Sequence, residues 1–173
     1  RSVIVEYLEG KRTVLENHPR VMTNDPDIRW HWRNLNTYVN LSPNYPWQND
    51  ILQIKTDDDI GAVPRPIGHG WNLFGLPGDS SPPSRFVRLF YLRGYAMKSQ
   101  QVKSFKDAVV LGTGLLNNIF LPLGPVAGNP REAGDGPELT DYAVLKSCQD
   151  KVMLIRGYVN SQWRQIDLNR LDF

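Results

Sequence analysis

Period-two alternation stands at both ends of this chain and helical spacing lies only between them, which constrains the fold more than any other feature. Near the start, Val3, Val5 and Tyr7 alternate with Ile4 and Glu6. A Glu9-Gly10 turn leads into Thr13-Val14-Leu15-Glu16, so the segment reads as a hairpin, with Arg20 to Thr23 as a short third strand. At the other end, Tyr142–Ser147, Lys151–Tyr158 and Trp163–Leu168 are separated by turns at Gln149-Asp150 and Asn160-Ser161 and read as a meander. Between them, Asn24-Asp25-Pro26-Asp27 signals a helix start with an Asp cap and Pro at the first position. Ile28, Trp32, Leu35 and Val39 continue it at helical spacing, and Phe86, Leu89, Phe90 and Arg93 repeat that spacing within Ser84–Ala96. Ser104-Phe105-Lys106-Asp107 has the form of a capping box ahead of a helix reaching Asn117-Asn118. Strands, then helices, then strands, with no βαβ alternation, predict an α+β fold rather than a doubly wound sheet.

A length of 173 residues fits one domain or part of one. Hydrophobic residues at 40% suffice for a packed core, which excludes wholesale disorder. A net charge of +2 supplies no single-sign field and argues against a nucleic-acid or membrane-surface protein. The most apolar stretch, Ala108 to Val126, is broken by Gly, Asn and Pro, so no membrane span is expected. The single Cys148 excludes an internal disulfide framework and a multi-Cys zinc site. Strand composition begins immediately after Arg1, so the chain reads as the C-terminal part of something longer. Asn40 to Pro83 and Gly124 to Pro137 read as long Gly/Pro-rich loops.

Few residues carry an obvious chemistry. P-loop, G-x-G-x-x-G, H-E-x-x-H and G-x-S-x-G patterns are all missing from the sequence. His18, His31 and His69 stand in three unrelated contexts without metal-ligand spacing and read as surface or loop residues. Asp57-Asp58-Asp59 lacks the spaced oxygens of a calcium loop and reads as solvated. Asn40-Leu41-Ser42 is a formal glycosylation sequon of a kind that arises by chance, and Cys148, at a strand end beside a turn, reads as an inert thiol. Two positions stand out. Asn24, at a strand end before a helix, could aim an amide N–H at a developing oxyanion, or could simply be a turn residue. Arg85 opens a helix behind Gly75 to Pro83, where it opposes the helix dipole. Its partner is an anion such as a thiolate or carboxylate, or an ordinary acid in a salt bridge; the two readings are even at this point.

These two segments carry a resemblance. Val21-Met22-Thr23-Asn24-Asp25-Pro26, with Trp30 to Ser42 behind it, resembles the V-[LM]-T-N-x-P turn and N-L-S helix end of the choloylglycine hydrolase family. That family includes bile salt hydrolases and penicillin V acylases. Gly75-Leu76-Pro77-Gly78-Asp79 through Ser84-Arg85-Phe86-Val87-Arg88 is similar to its G-L-P-G-D…S-R-F-V-R signature. Leu116–Gly124 and the tail Asn160–Phe173 fit as well, so the likeness runs in order along nearly the whole chain.

The resemblance implies an N-terminal-nucleophile hydrolase αββα sandwich, two antiparallel sheets between helical layers, of which residues 1–173 would be the C-terminal part of a single domain. It implies hydrolysis of linear amide C–N bonds by an N-terminal Cys whose own α-amino group is the base, with no metal or organic cofactor. It implies a small acyl-amide substrate and a homotetramer. Asn24 matches the family's active-site Asn, which holds the substrate amide or the oxyanion; Arg85 matches the Arg beside the nucleophile. Residue 1 is Arg rather than Cys, and the family's upstream Arg, Asp and further Asn have no counterpart. The nucleophile is therefore expected upstream of this chain, and Asp57 to Asn72 looks like an extra loop portion. Two rivals remain: a non-catalytic relative that binds acyl amides or a partner, and an unrelated thiol enzyme using Cys148.

Overall fold

The computed structural model describes residues 2–44, 69–99 and 102–171. The expected hairpin forms: β1 (Val3–Leu8) pairs antiparallel with β2 (Lys11–Glu16), from Val3 opposite Glu16 to Leu8 opposite Lys11. Glu9 and Gly10 both take positive φ, 50° and 75°, as a two-residue turn matched to strand twist requires. Ile4 is buried on one face with Glu6 beside it, while Val3, Val5 and Tyr7 are exposed on the other. Arg20 to Thr23 forms no strand. Arg20 has φ of 54°, which breaks an extended run, and Val21 turns into the core without joining a ladder.

The first helix, α1 (Ile28–Asn34), starts later than expected. Its cap is Asp27, which accepts from the N–H groups of Arg29 and Trp30, so Pro26 precedes the cap instead of occupying the first helical position. Glu6 on β1 accepts from the N–H of Ile28 at 2.8 Å. Two carboxylates thus pair three of the amide groups that a helix start leaves open. After Asn34 the chain tightens into a 3-10 turn over Leu35–Tyr38, and Val39 is exposed rather than on a helical face.

The second helix, α2 (Pro82–Ser99), begins with two prolines, which fit the first turn because they bring no N–H to be left unpaired. The core joins the hairpin to α1 and α2 through Ile4, Val21, Ile28 and Phe86, with Leu15, Trp32, Leu35, Leu89 and Phe90 packed around it. Tyr91 and Tyr95 of α2 donate to the carbonyls of Tyr38 and Leu41 at 2.7 and 2.6 Å, and burial pushes both phenols above their ordinary pKa. The third helix, α3 (Phe105–Asn117), is capped by Ser104, whose hydroxyl accepts from the Asp107 N–H.

The tail is the expected meander, β3 (Tyr142–Ser147), β4 (Val152–Gly157) and β5 (Arg164–Asp167), antiparallel in the order β3-β4-β5. It packs on α3 at Gly112, where a Cβ would stand 2.7 Å from a methyl of Leu145. Trp163 donates from its indole to Thr113 of α3 at 3.0 Å, and Arg156 lies over the Trp163 ring at 4.7 Å. Among the described residues the architecture is α+β, as the order of elements predicted, with the two antiparallel sheets that the family resemblance implies. Among the described residues no helix is long and apolar enough to cross a membrane. The Asp57-Asp58-Asp59 run lies outside the described residues, as does all of the suspected extra loop before His69.

Candidate functional site

Asn24 and Arg85 are 61 residues apart in sequence, and the fold brings them together: Arg85 Nη2 donates to Asn24 Oδ1 at 2.7 Å. The Asp27 cap and the Glu6 contact hold the start of α1, and with it the turn that carries Asn24. The first turn of α2 holds Arg85. A guanidinium has donors only, so the Asn24 carbonyl oxygen must face it and the Asn24 NH₂ is left pointing away as a free donor. Arg85 is half-buried and its Nε is buried without a hydrogen-bond partner. Among the described residues no acid pairs with Arg85, so of the two partners left open for it, an ordinary salt bridge is not what the structure shows.

Arg85 also lines a cavity of about 390 Å³ whose walls include Leu116, Phe120, Leu139, Tyr142 and Val144, with Glu138, Asp141 and Arg156 at its polar margins. A cation beside such a cavity can stabilise an anion, and the neighbouring Asn24 amide can hold a carbonyl oxygen. The arrangement suits chemistry in which negative charge develops on sulfur or oxygen.

The loop ahead of α2 is built around Asp79. Its carboxylate accepts from the Ser81 N–H at 2.9 Å and the Ser84 hydroxyl at 2.5 Å. The hydrogen bonds from Ser81 and Ser84 hold its pKa down to about 2. Ser81 in turn accepts, through its carbonyl, from the Arg85 N–H at 3.0 Å. Arg88, one turn on, donates to the carbonyls of Pro77, Asp79 and Asn118 at 2.8, 3.0 and 2.7 Å. Neither Asp79 nor Arg88 stood out in the sequence as more than part of a signature. Their roles depend on carbonyls and hydroxyls that only the folded loop assembles.

The histidines divide. His18 is exposed and near Trp32, with ring centroids 6.1 Å apart, as a surface reading predicts. His31 corrects that reading: it is 1% exposed, stacked on Phe86 with centroids 4.1 Å apart, and bonded through Nε2 to Thr23 Oγ1 at 3.1 Å. The signal was present in the spacing, since Ile28, His31 and Leu35 share the core-facing side of the helix. Burial pushes the His31 pKa below its ordinary value, against the raising pull of the Asp25 backbone and the carboxylates of Asp27, Asp25 and Glu6. His69 stands beside the Trp71–Leu73 turn. Cys148 is exposed in the β3–β4 turn. Among the described residues no group of three or more His, Cys, Asp or Glu could hold a metal ion.

Comparison with known proteins agrees with the resemblance. Residues 1–173 match the linear amide C–N hydrolases, choloylglycine hydrolase family. The chain is 32% identical over 172 residues to a bile salt hydrolase/transferase of Clostridium perfringens (strain 13 / Type A), covering 98% of this chain and 47% of that protein. It is 37% identical over 135 residues to a conjugated bile acid hydrolase of Lactobacillus acidophilus, covering 78% and 37%. A crystal structure of a mutant conjugated bile acid hydrolase from Clostridium perfringens superposes with a TM-score of 0.78 at 28% identity, over 98% of this chain and 47% of that one. Penicillin V acylase from Agrobacterium tumefaciens shares the fold, with a TM-score of 0.61 at 20% identity over 98% and 43%. The chain spans about half the length of the curated relatives it matches, and the two sheets and three α-helices among its described residues form part of the N-terminal-nucleophile hydrolase fold. By sequence along its whole length and by fold, this chain belongs to the linear amide C–N hydrolases of the choloylglycine hydrolase family.

Proposed function

We propose that residues 1–173 are the C-terminal part of a single amidohydrolase domain and supply Asn24 and Arg85 to its active site. The substrate is a linear acyl amide of the conjugated bile-salt or acylated amino-acid kind. The observation that carries this reading is the 2.7 Å bond from Arg85 to Asn24 Oδ1, which joins a guanidinium cation to an exposed amide whose NH₂ points away from it. The nucleophile is the thiol of an N-terminal Cys in the preceding portion of the protein, and its own α-amine takes the thiol proton. The sulfur attacks the amide carbon, and the carbonyl oxygen becomes an oxyanion. Asn24 donates to that oxygen while Arg85 favours the thiolate before attack. Collapse of the intermediate breaks the C–N bond, with the protonated base returning its proton to the departing amine. Water then hydrolyses the thioester.

The test uses the complete reading frame that contains this chain, assayed on conjugated bile salts and acylated amino acids. Asn24→Ala is expected to lower kcat by about 10²–10³-fold, the range for one oxyanion donor. KM should change much less, because the bond strengthens mainly in the transition state. An unchanged kcat, or no turnover of any linear amide by the unaltered protein, would overturn the reading. The non-catalytic rival has no observation in its favour.

A further inference from the structure

A buried imidazole is a costly way to fill a core unless its polar atoms are used. His31 uses one of them. Its Nε2 meets Thr23 Oγ1, while Nδ1 is buried without a partner. Thr23 is the residue before Asn24, and Phe86, which stacks on the ring at an interplanar angle of 10°, is the residue after Arg85. One side chain therefore touches the immediate neighbour of each member of the Asn24–Arg85 pair. Leu or Phe would fill the same space but offer Thr23 nothing.

We infer that His31 is a positioning residue: its neutral ring, stacked on Phe86 and bonded to Thr23, fixes the Asn24 turn against the first turn of α2 so that Asn24 Oδ1 meets Arg85. This rests on the functional reading only in assigning the pair a catalytic purpose. The Thr23 hydroxyl serves either neutral tautomer, donating to a bare Nε2 or accepting from a protonated one. Burial opposes protonation of the ring, against the raising pull of the Asp25 backbone and the nearby carboxylates. The charged groups acting on the ring are Glu6 from β1 and Asp25 and Asp27 from the turn; α2 presents the Phe86 ring to it.

The test reads the side-chain amide resonances of Asn24 in the ¹⁵N-labelled complete protein that contains this chain. Arg85→Met marks where the unpaired amide resonates. His31→Phe keeps a ring for Phe86 but removes the bond to Thr23, His31→Gln restores a polar partner for Thr23, and Thr23→Val removes the hydroxyl while leaving the stack alone. The Asn24 signals should move toward the Arg85→Met position in His31→Phe and in Thr23→Val, and should return at least halfway in His31→Gln. Acidifying the unaltered protein should move them the same way, with the midpoint of the His31 imidazole and not of a carboxylate. If His31→Phe fails to fold, Thr23→Val decides. Asn24 signals at the original position in Thr23→Val, or an acid shift that persists unchanged in His31→Gln, would overturn the inference. In the complete enzyme Thr23→Val should lower kcat about tenfold, the equivalent of about 1.4 kcal/mol, with KM within about twofold. Displaced Asn24 signals with unchanged kcat would support the positioning and count against the catalytic reading. Undisplaced signals would remove the inference and leave that reading to Asn24→Ala.

Discussion

Arg88→Met removes one guanidinium and, with it, three bonds that tie the Gly75–Asp79 loop, α2 and the end of α3 together. Methionine keeps much of the stem's packing, so the loss is mainly polar. The carbonyls of Asp79 and Asn118 are in exposed bonds and can turn to water, whereas the Pro77 bond is partly buried. An unsatisfied buried acceptor costs about 1–3 kcal/mol, and charged hydrogen bonds at the surface contribute less than their gross strength. The sum is about 2–4 kcal/mol of destabilisation, since rehydration offsets most of the other two. At about 2–4 °C per kcal/mol for a chain of this size, the melting temperature should fall by roughly 4–16 °C. Urea unfolding followed by far-UV circular dichroism should show a lower midpoint at constant slope. Arg88→Lys is the discriminating control, because a single ammonium cannot serve three carbonyls from one fork and should recover less than half of the loss. A Lys variant as stable as the original would show that charge near Asp79, not the three-way clamp, is what the fold needs.

Other outcomes can be stated briefly. The 173-residue chain alone should turn over no acyl amide, and Cys148→Ala should change nothing; turnover abolished by that substitution would replace the functional reading with a Cys148 enzyme. Because the folded pKa of Asp79 is held down to about 2 from 3.8, its contribution is present above the unfolded value and lost as pH falls through that window; Asp79→Asn should flatten that part of a stability–pH curve. His31 has the opposite charge type: its folded pKa lies below 6.5, so the unfolded chain takes the proton first and stability declines as pH drops below 6.5. His31→Gln should remove that decline, measured by urea midpoints across the range. Gly112→Val should destabilise by about 1–3 kcal/mol through overpacking against Leu145, and a simultaneous Leu145→Ala should recover part of it. In the complete enzyme, Arg85→Met should move the pH at which iodoacetamide modifies the nucleophilic thiol upward; superimposable curves would leave Arg85 with a structural task only.

What could be read from the sequence follows the range over which each feature is decided. The Glu9-Gly10 hairpin, the Ser104 cap and the three-strand tail are local, settled by alternation and turn chemistry within a few residues. Arg20 to Thr23 carries the strand pattern, an apolar residue flanked by extended-looking neighbours, yet Val21 is held by packing on Ile28 and Phe86 and not by a ladder. His31 resembles a surface residue by type alone, yet its position between Ile28 and Leu35 puts it on the core side of the helix. The meeting of Asn24 with Arg85 was foreshadowed only by the family resemblance; 61 residues of intervening chain leave no periodic trace. The clamp of Arg88 and the reach of Glu6 to Ile28 end on backbone atoms, which every residue has and no sequence distinguishes.

That last contact gives the hairpin a way to register its own errors. Side chains of a strand change face with every residue, so a slip of β1 by one position would carry Ile4 and Glu6 together to the solvent side. The core would lose an anchor and the Ile28 amide would lose its acceptor in the same event. Mispaired hairpins are therefore penalised twice, once in the sheet and once at a helix 22 residues away. Correct pairing of the first two strands and correct placement of the turn bearing Asn24 become a single cooperative decision.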